Sequence, residues 1–137
     1  MTIREGTPGD LARLEALPPA EHWDRQLAML RRSLGARRSL VAEIGDDVVA
    51  MVVWDREFFA RAFIWMLGVH PSHRRRGIAS ALIEHVERSC KGEPLFISTT
   101  KSNLAMQVLC KGRGFLECGF VENIDPGDPE IFFHKVV

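Results

Sequence analysis

Apolar residues recur at every second position in some stretches of this chain and at every third or fourth in others, and the switches between the two rhythms mark out its elements. Residues 2–5 read as a short strand. Thr7, Pro8, Gly9 and Asp10 then supply an N-cap, a proline at the first helical position and an acid at the third, so a helix starts there. Leu11, Leu14 and Leu17 are its apolar positions, and Pro18-Pro19 stop it. Trp23, Leu27, Leu30 and Leu34 keep helical spacing in a second helix, which Gly35 closes. The β-rich runs at residues 39–44 and 48–53 flank Gly45, Asp46 and Asp47 and predict a hairpin. A third run, 61–69, follows after a loop, giving consecutive antiparallel strands.

Helical spacing returns after Pro71 through Ile78, Leu82 and Val86, with Glu84 and Arg88 four apart and Lys91-Gly92 at the end. Pro94 precedes a short apolar strand at 95–99. Strand, helix, strand in that order predicts a right-handed crossover between parallel neighbours. Ser102 or Asn103 caps a further helix, whose inward stripe includes Leu104, Val108 and Leu109 and which ends near residues 111–114. Strands at 115–121 and 130–137 are joined by the turn-rich residues 123–129. The expectation is an α/β (α+β) fold: one domain over residues 1–137, with a mixed, mostly antiparallel sheet, parallel at its centre and flanked by helices.

Composition narrows the classes of function. Eighteen basic and eighteen acidic residues balance, which disfavours a nucleic-acid surface, although three adjacent arginines leave a local phosphate contact as a third reading. Cys90, Cys110 and Cys118 are an odd set with no Cys-x-x-Cys pair, which argues against a disulfide framework or a metal site. No apolar run approaches the ~18 residues of a membrane span, and the first ten residues lack the apolar core of a secretory signal. The expected setting is the cytoplasm, with no membrane partner.

One stretch carries chemistry. Residues 67–82, LGVHPSHRRRGIASAL, read as a strand end, a proline turn, three arginines, a glycine and a helix start. A helix N-terminus carries about half a positive charge, so cations there are unfavourable unless an anion binds. Arg74, Arg75 and Arg76 therefore point to a phosphate-bearing ligand, with a solvated arginine turn as the alternative. The spacing Arg-x-x-Gly-x-Ala, filled by Arg74, Gly77 and Ala79, resembles the acetyl-coenzyme A motif of the GNAT superfamily of N-acetyltransferases, and the order of elements resembles theirs over nearly the whole chain.

That resemblance implies that the amides of Arg74, Arg75, Arg76, Gly77, Ile78, Ala79 and Ser80 hold a pyrophosphate, with the arginine side chains and the Ser80 hydroxyl around it. It implies that the strand at Leu67 and Val69 pairs with the pantetheine arm, that Asn103 helps hold that arm, and that acetyl-coenzyme A is the acyl donor to a small-molecule or peptide amine acceptor. Gly68 reads as a bulge or a close backbone approach within that strand, or as an ordinary strand end. The residues between the first two helices, Glu21, His22 and Trp23, are by resemblance acceptor contacts, while Trp23 on an apolar stripe reads as core.

From Asn103 the family pattern runs to a tyrosine, commonly the acid that protonates the thiolate, and ends in Gly-Phe. Gly114 and Phe115 are in place, but the tyrosine position is Cys110 and the chain has no tyrosine. Cys110 reads either as a substitute catalytic acid or as a packed helix residue, with water as a second proton source. Where some relatives carry a glutamate base, this chain has Phe63; Glu43, Glu57 and His70 are candidates only because they flank strands, where solvated surface groups are the ordinary finding. A lysine-like amine has a pKa of about 10.4, so freeing it of its proton near pH ~7.4 costs about 4 kcal/mol and calls for a base or solvent relay. A non-catalytic acyl-coenzyme A-binding module of the same fold is the alternative to an enzyme. Antibiotic, polyamine, amino-acid and protein acceptors stay open, as does a homodimer through the edges of the C-terminal strands.

Overall fold

A computed structural model describes residues 1–20 and 22–137. Among the described residues seven strands and four α-helices follow in the order β1 (Thr2–Glu5), α1 (Asp10–Glu15), α2 (Trp23–Leu34), β2 (Arg38–Ile44), β3 (Asp47–Phe58), β4 (Arg61–Val69), α3 (Ile78–Ser89), β5 (Pro94–Thr100), α4 (Leu104–Gly112), β6 (Leu116–Val121) and β7 (Glu130–Val136). The strands hydrogen-bond in the order β1-β2-β3-β4-β5-β7-β6. β4 and β5 run parallel, with Ala62, Phe63 and Ile64 opposite Leu95, Phe96 and Ile97; β1–β2, β2–β3, β5–β7 and β6–β7 are antiparallel. The fold is the expected mixed α/β one with a mostly antiparallel sheet. No helix among the described residues is long and apolar enough to cross a membrane.

The chain divides into two compact units, Met1–Asp55 with Trp65–Val86, and Arg56–Ile64 with Glu87–Val137. In the first, α2 turns Trp23, Leu27 and Leu30 inward at helical spacing, against Leu14, Val41, Val48, Met51 and Val53. Each such side chain contributes about 1.5–3 kcal/mol when fully buried. One polar cluster closes this unit's edge. The Arg4 guanidinium forks onto Asp10 at 2.8 and 2.9 Å and also meets Glu43, while Asp10, 1% exposed, accepts from the backbone N–H of Thr7.

That cluster explains the first departure from the sequence reading. The helix starts at Asp10, three residues past Thr7, and its N-cap is Gly9 with no side-chain cap. The Thr7 hydroxyl donates to Asp10 at 3.1 Å in place of accepting a helical N–H.

β3 runs to Phe58, five residues beyond the apolar run at 48–53, and turns into β4 through Phe59 and Ala60 alone, both at positive φ. Its polar end is held by partners distant in sequence. Trp54 faces Arg38 in register, and Asp55 accepts from the Trp65 indole at 2.6 Å and from Arg37 at 3.1 Å.

Gly68 lies within β4, one residue before its end. A Cβ there would stand 3.1 Å from Leu30 Cδ1 and 3.9 Å from the Trp23 ring, so the side chains of α2 press on this position and Leu30 must give way to any larger residue. Gly68→Val is expected to cost about 1–3 kcal/mol, read by urea denaturation, because the branched side chain must displace Leu30 or the strand. An unchanged midpoint would show that α2 moves freely there.

In the second unit Leu95, Ile97, Ile131 and Phe133 are buried, and Arg113 and Lys135 both reach Glu87, at 3.2 and 2.8 Å. The stripe expected on α4 is corrected: Leu104 and Val108 are 70% and 71% exposed, and Cys110 is the buried position. Leu109, the third position of that stripe, is half-buried, and Gln107 of the same helix donates to the carbonyl of Lys101 at 2.6 Å. Strand β6 begins at Leu116 and leaves Phe115 buried before it.

Candidate functional site

The first unit builds the arginine turn from behind. β4 ends at Val69, and His70, 2% exposed, is fixed on every side. Its backbone N–H donates to Val49 O at 2.8 Å, and its Nε2 lies 2.8 Å from the Pro18 carbonyl, which can only accept. Nε2 therefore carries the proton, and Nδ1 accepts from the Ser72 hydroxyl at 2.6 Å and the Ser72 N–H at 3.2 Å. The Trp23 ring packs edge-on to the imidazole, 5.0 Å between centroids. The sequence placed His70 among solvated strand-flanking groups; it is a buried anchor. The signal was the dipeptide His70-Pro71 directly after an apolar strand, where a polar side chain must find partners once the chain turns inward.

After the 3-10 turn Pro71–His73, Arg74 is extended and its Nε donates to Val69 O at 3.2 Å. Arg75 and Gly77 take positive φ, +62° and +76°. The first bond of α3 runs from the Ala81 N–H to Gly77 O at 3.0 Å, so the amides of Ile78, Ala79 and Ser80 stand ahead of the ladder and lack intrahelical acceptors. Arg74, Arg75 and Arg76, just before them in the chain, are exposed, and a Cβ added at Gly77 would meet nothing within 4 Å. Free amides, a helix dipole, three cations and an open space over a glycine fit an anionic group such as a phosphate. The field leaves a mark on His73, whose proton affinity is held down by burial, then by Arg76 and His70.

Leu67 and Val69, half-buried on β4, lead into this turn, so Leu67 to Ser80 form one continuous stretch. The second unit holds the other two residues. Asn103 caps α4, its Oδ1 accepting from the Met106 N–H at 3.1 Å. Cys110 is fully buried in the same helix, and burial pushes its thiol up to about 11. The remaining candidates differ in burial and in partners. Trp23 is core, His22 is exposed at the α2 N-terminus, and Glu21 lies outside the described residues. Glu43 is engaged by Arg4 and Arg13, and its proton affinity is lowered chiefly by the Arg4 hydrogen bond, which makes it a poor base. Glu57 is exposed, and Phe63 is 3% exposed.

The family model described as the acetyltransferase (GNAT) family matches residues 9–115. Among solved structures, the chain is similar to a GNAT-family acetyltransferase from Bacillus cereus, with a TM-score of 0.76 and 26% identity over 98% of this chain and 96% of that one. It is similar to a GNAT family acetyltransferase from Elizabethkingia anophelis with acetyl-CoA bound, at TM-score 0.77 and 16% identity over 99% and 97%. It is also similar to the ribosomal-protein-alanine N-acetyltransferase from Brucella melitensis, at TM-score 0.69 and 21% identity over the full length of both. At their identities the last two bear on the fold alone. No curated protein sequence matches the chain significantly.

Proposed function

We propose the activity from a firm premise, that the chain belongs to the acetyltransferase (GNAT) family: it transfers an acetyl group from acetyl-coenzyme A to a primary amine, by direct attack within a ternary complex. The observation that carries this reading is the turn, where the amides of Ile78, Ala79 and Ser80 have no intrahelical acceptor, directly after Gly77 and the exposed Arg74, Arg75 and Arg76. The extent of the family match supports treating the chain as one acetyltransferase domain.

In this reading Gly77 and the three amides after it bind the pyrophosphate, and the arginines add charge around it. Buried His70 positions the turn from behind through Pro18, Ser72 and Val49. Leu67 and Val69 offer strand edges to the pantetheine arm. When bound, acetyl-coenzyme A supplies an activated acetyl thioester. The acceptor must reach the reaction as the neutral amine, at a cost of about 4 kcal/mol for a lysine-like group and about 1 kcal/mol or less for a peptide α-amine. A thiol-release assay with acetyl-coenzyme A and a mixed amine panel, alongside calorimetric titration of the cofactor, tests the reading. Absence of cofactor binding would sink it.

Cys110 stands where the family pattern has its acid. Its full burial and weakened acidity favour a packed thiol, so Cys110→Ala is expected to leave kcat within about threefold, water supplying the proton instead. A drop of about a hundredfold in kcat with unchanged cofactor affinity would instead make Cys110 the acid. The same features, together with the absence of tyrosine, favour one second reading: an acyl-coenzyme A-binding module without transferase activity. Tight cofactor binding without transfer to any amine would establish that reading.

A further inference from the structure

The second unit leaves one face of its sheet half open. Burial alternates along β5 and β7: Leu95, Ile97, Ile131 and Phe133 are buried, whereas Phe96, Ser98, Glu130, Phe132 and His134 are half-buried. Strand register sets them side by side, with Phe96 opposite His134, Ser98 opposite Phe132 and Thr100 opposite Glu130. The face is aromatic. Phe58 stacks on Phe132 with ring centroids 5.8 Å apart and planes 16° apart, and Phe96 stacks on His134 at 5.8 Å and 26°.

At one end the same face becomes acidic. Glu130 takes a hydrogen bond from Ser98, and the charges acting on it are those of Asp128 and Asp125. Burial first, and those two acids after it, raise its proton affinity, while Ser98 works against them. The segment is held in place, since the Lys101 N–H donates to Pro129 O at 2.8 Å and the Ser102 N–H donates to Asp128 at 3.0 Å. A half-buried carboxylate flanked by two acids, at the end of a row of aromatic rings, is complementary to a cation joined to a flat apolar group.

We propose that this face receives the amine acceptor, and that the acceptor carries its ammonium on an aromatic or similarly flat apolar body. The inference rests on the acetyl-transfer reading for its place in a reaction, but its binding chemistry stands alone. The ring of the acceptor lies along Phe96 and Phe132, and its ammonium meets Glu130. An amine with no apolar body leaves the rings unused, and a polyamine sets a second charge against them.

Calorimetric titration of the full chain with 2-phenylethylamine, n-butylamine and putrescine near neutral pH tests this. The aromatic amine is expected to bind roughly tenfold more tightly than n-butylamine. Glu130→Gln is expected to weaken its binding by about tenfold or more. Phe132→Ala is expected to bring the two monoamines to within about threefold of each other. If the alanine variant does not fold, Phe132→Leu keeps most of the volume without the ring and serves the same comparison. Equal affinities for the three amines, or an aromatic amine bound by Glu130→Gln as by the wild type, overturns the proposal. So does a dimer in sedimentation that Phe132→Ala dissociates, because a second copy would then cover the face. Acetyl-coenzyme A titrated into the same samples separates the two readings. Its affinity is expected to be the same in wild type and variants; if it fails to bind at all while the amine pattern holds, the transfer reading falls and the amine site stands.

Discussion

Gly77→Glu is expected to weaken acetyl-coenzyme A binding by about a hundredfold or more while the chain stays folded, because two penalties fall on one position. Gly77 sits at φ +76°, where a side chain costs about 1–2 kcal/mol. The new carboxylate would also enter the space above the free amides of Ile78, Ala79 and Ser80 and neutralise Arg74 to Arg76, displacing the phosphate they are proposed to hold. Gly77→Ala isolates the first penalty, since its Cβ meets no protein atom within 4 Å. Titration calorimetry, with a melting curve for each variant, gives both terms. Unchanged affinity in a folded Gly77→Glu chain would remove the turn from the cofactor site.

The second large effect lies at the opposite end of the first unit's sequence. Asp10→Ala is expected to cost about 2–4 kcal/mol in urea at neutral pH, because it strips a buried carboxylate from Arg4 and from the Thr7 N–H. The effect is tied to pH in a definite direction. The Arg4 hydrogen bond, opposed by burial, lowers Asp10 from 3.8 to about 2, so the folded chain prefers the ionised form. That preference stabilises fully above pH 3.8 and is lost as the pH falls from there to about 2, a change of roughly 2–3 kcal/mol. Glu43, also lowered chiefly by Arg4, adds in the same direction. Denaturation curves at neutral pH and near pH 3 should show the gap between wild type and Asp10→Asn narrowing as acid is added. Parallel curves would show that Arg4 gains nothing from the charge.

Those two positions differ in how far the sequence exposes them. The arginine turn is legible because its parts are contiguous: strand end, proline, cations, glycine and helix start follow one another in a dozen residues. The Arg4–Asp10–Glu43 cluster is not, because β1 and β2 must pair before Glu43 stands near Arg4. Helix α2 and the core half of β3 are likewise written in local periodicity. The polar half of β3 is not, since Arg37 and Trp65 satisfy Asp55 from outside the strand. On α4 the apolar count favours Leu104, Val108 and Leu109, yet the first two are exposed, Leu109 is half-buried and Cys110 is the buried position. His70 is hidden from the sequence for a related reason. A histidine is polar by type, yet two carbonyls and a serine make this one an interior post.

Strand β7 lies between β5 and β6. A ribosome releases the chain from its N-terminus, so β5 and β6 both emerge before the strand that separates them. Until residues 130–136 are free, β6 has no backbone neighbour to pair with, and β5 presents to the cell the edge that β7 will later cover. Translational pausing over this segment would therefore prolong the interval in which a neighbouring nascent chain can add itself to β5, and yield from a cell should track the rate at which residues 130–136 are synthesised.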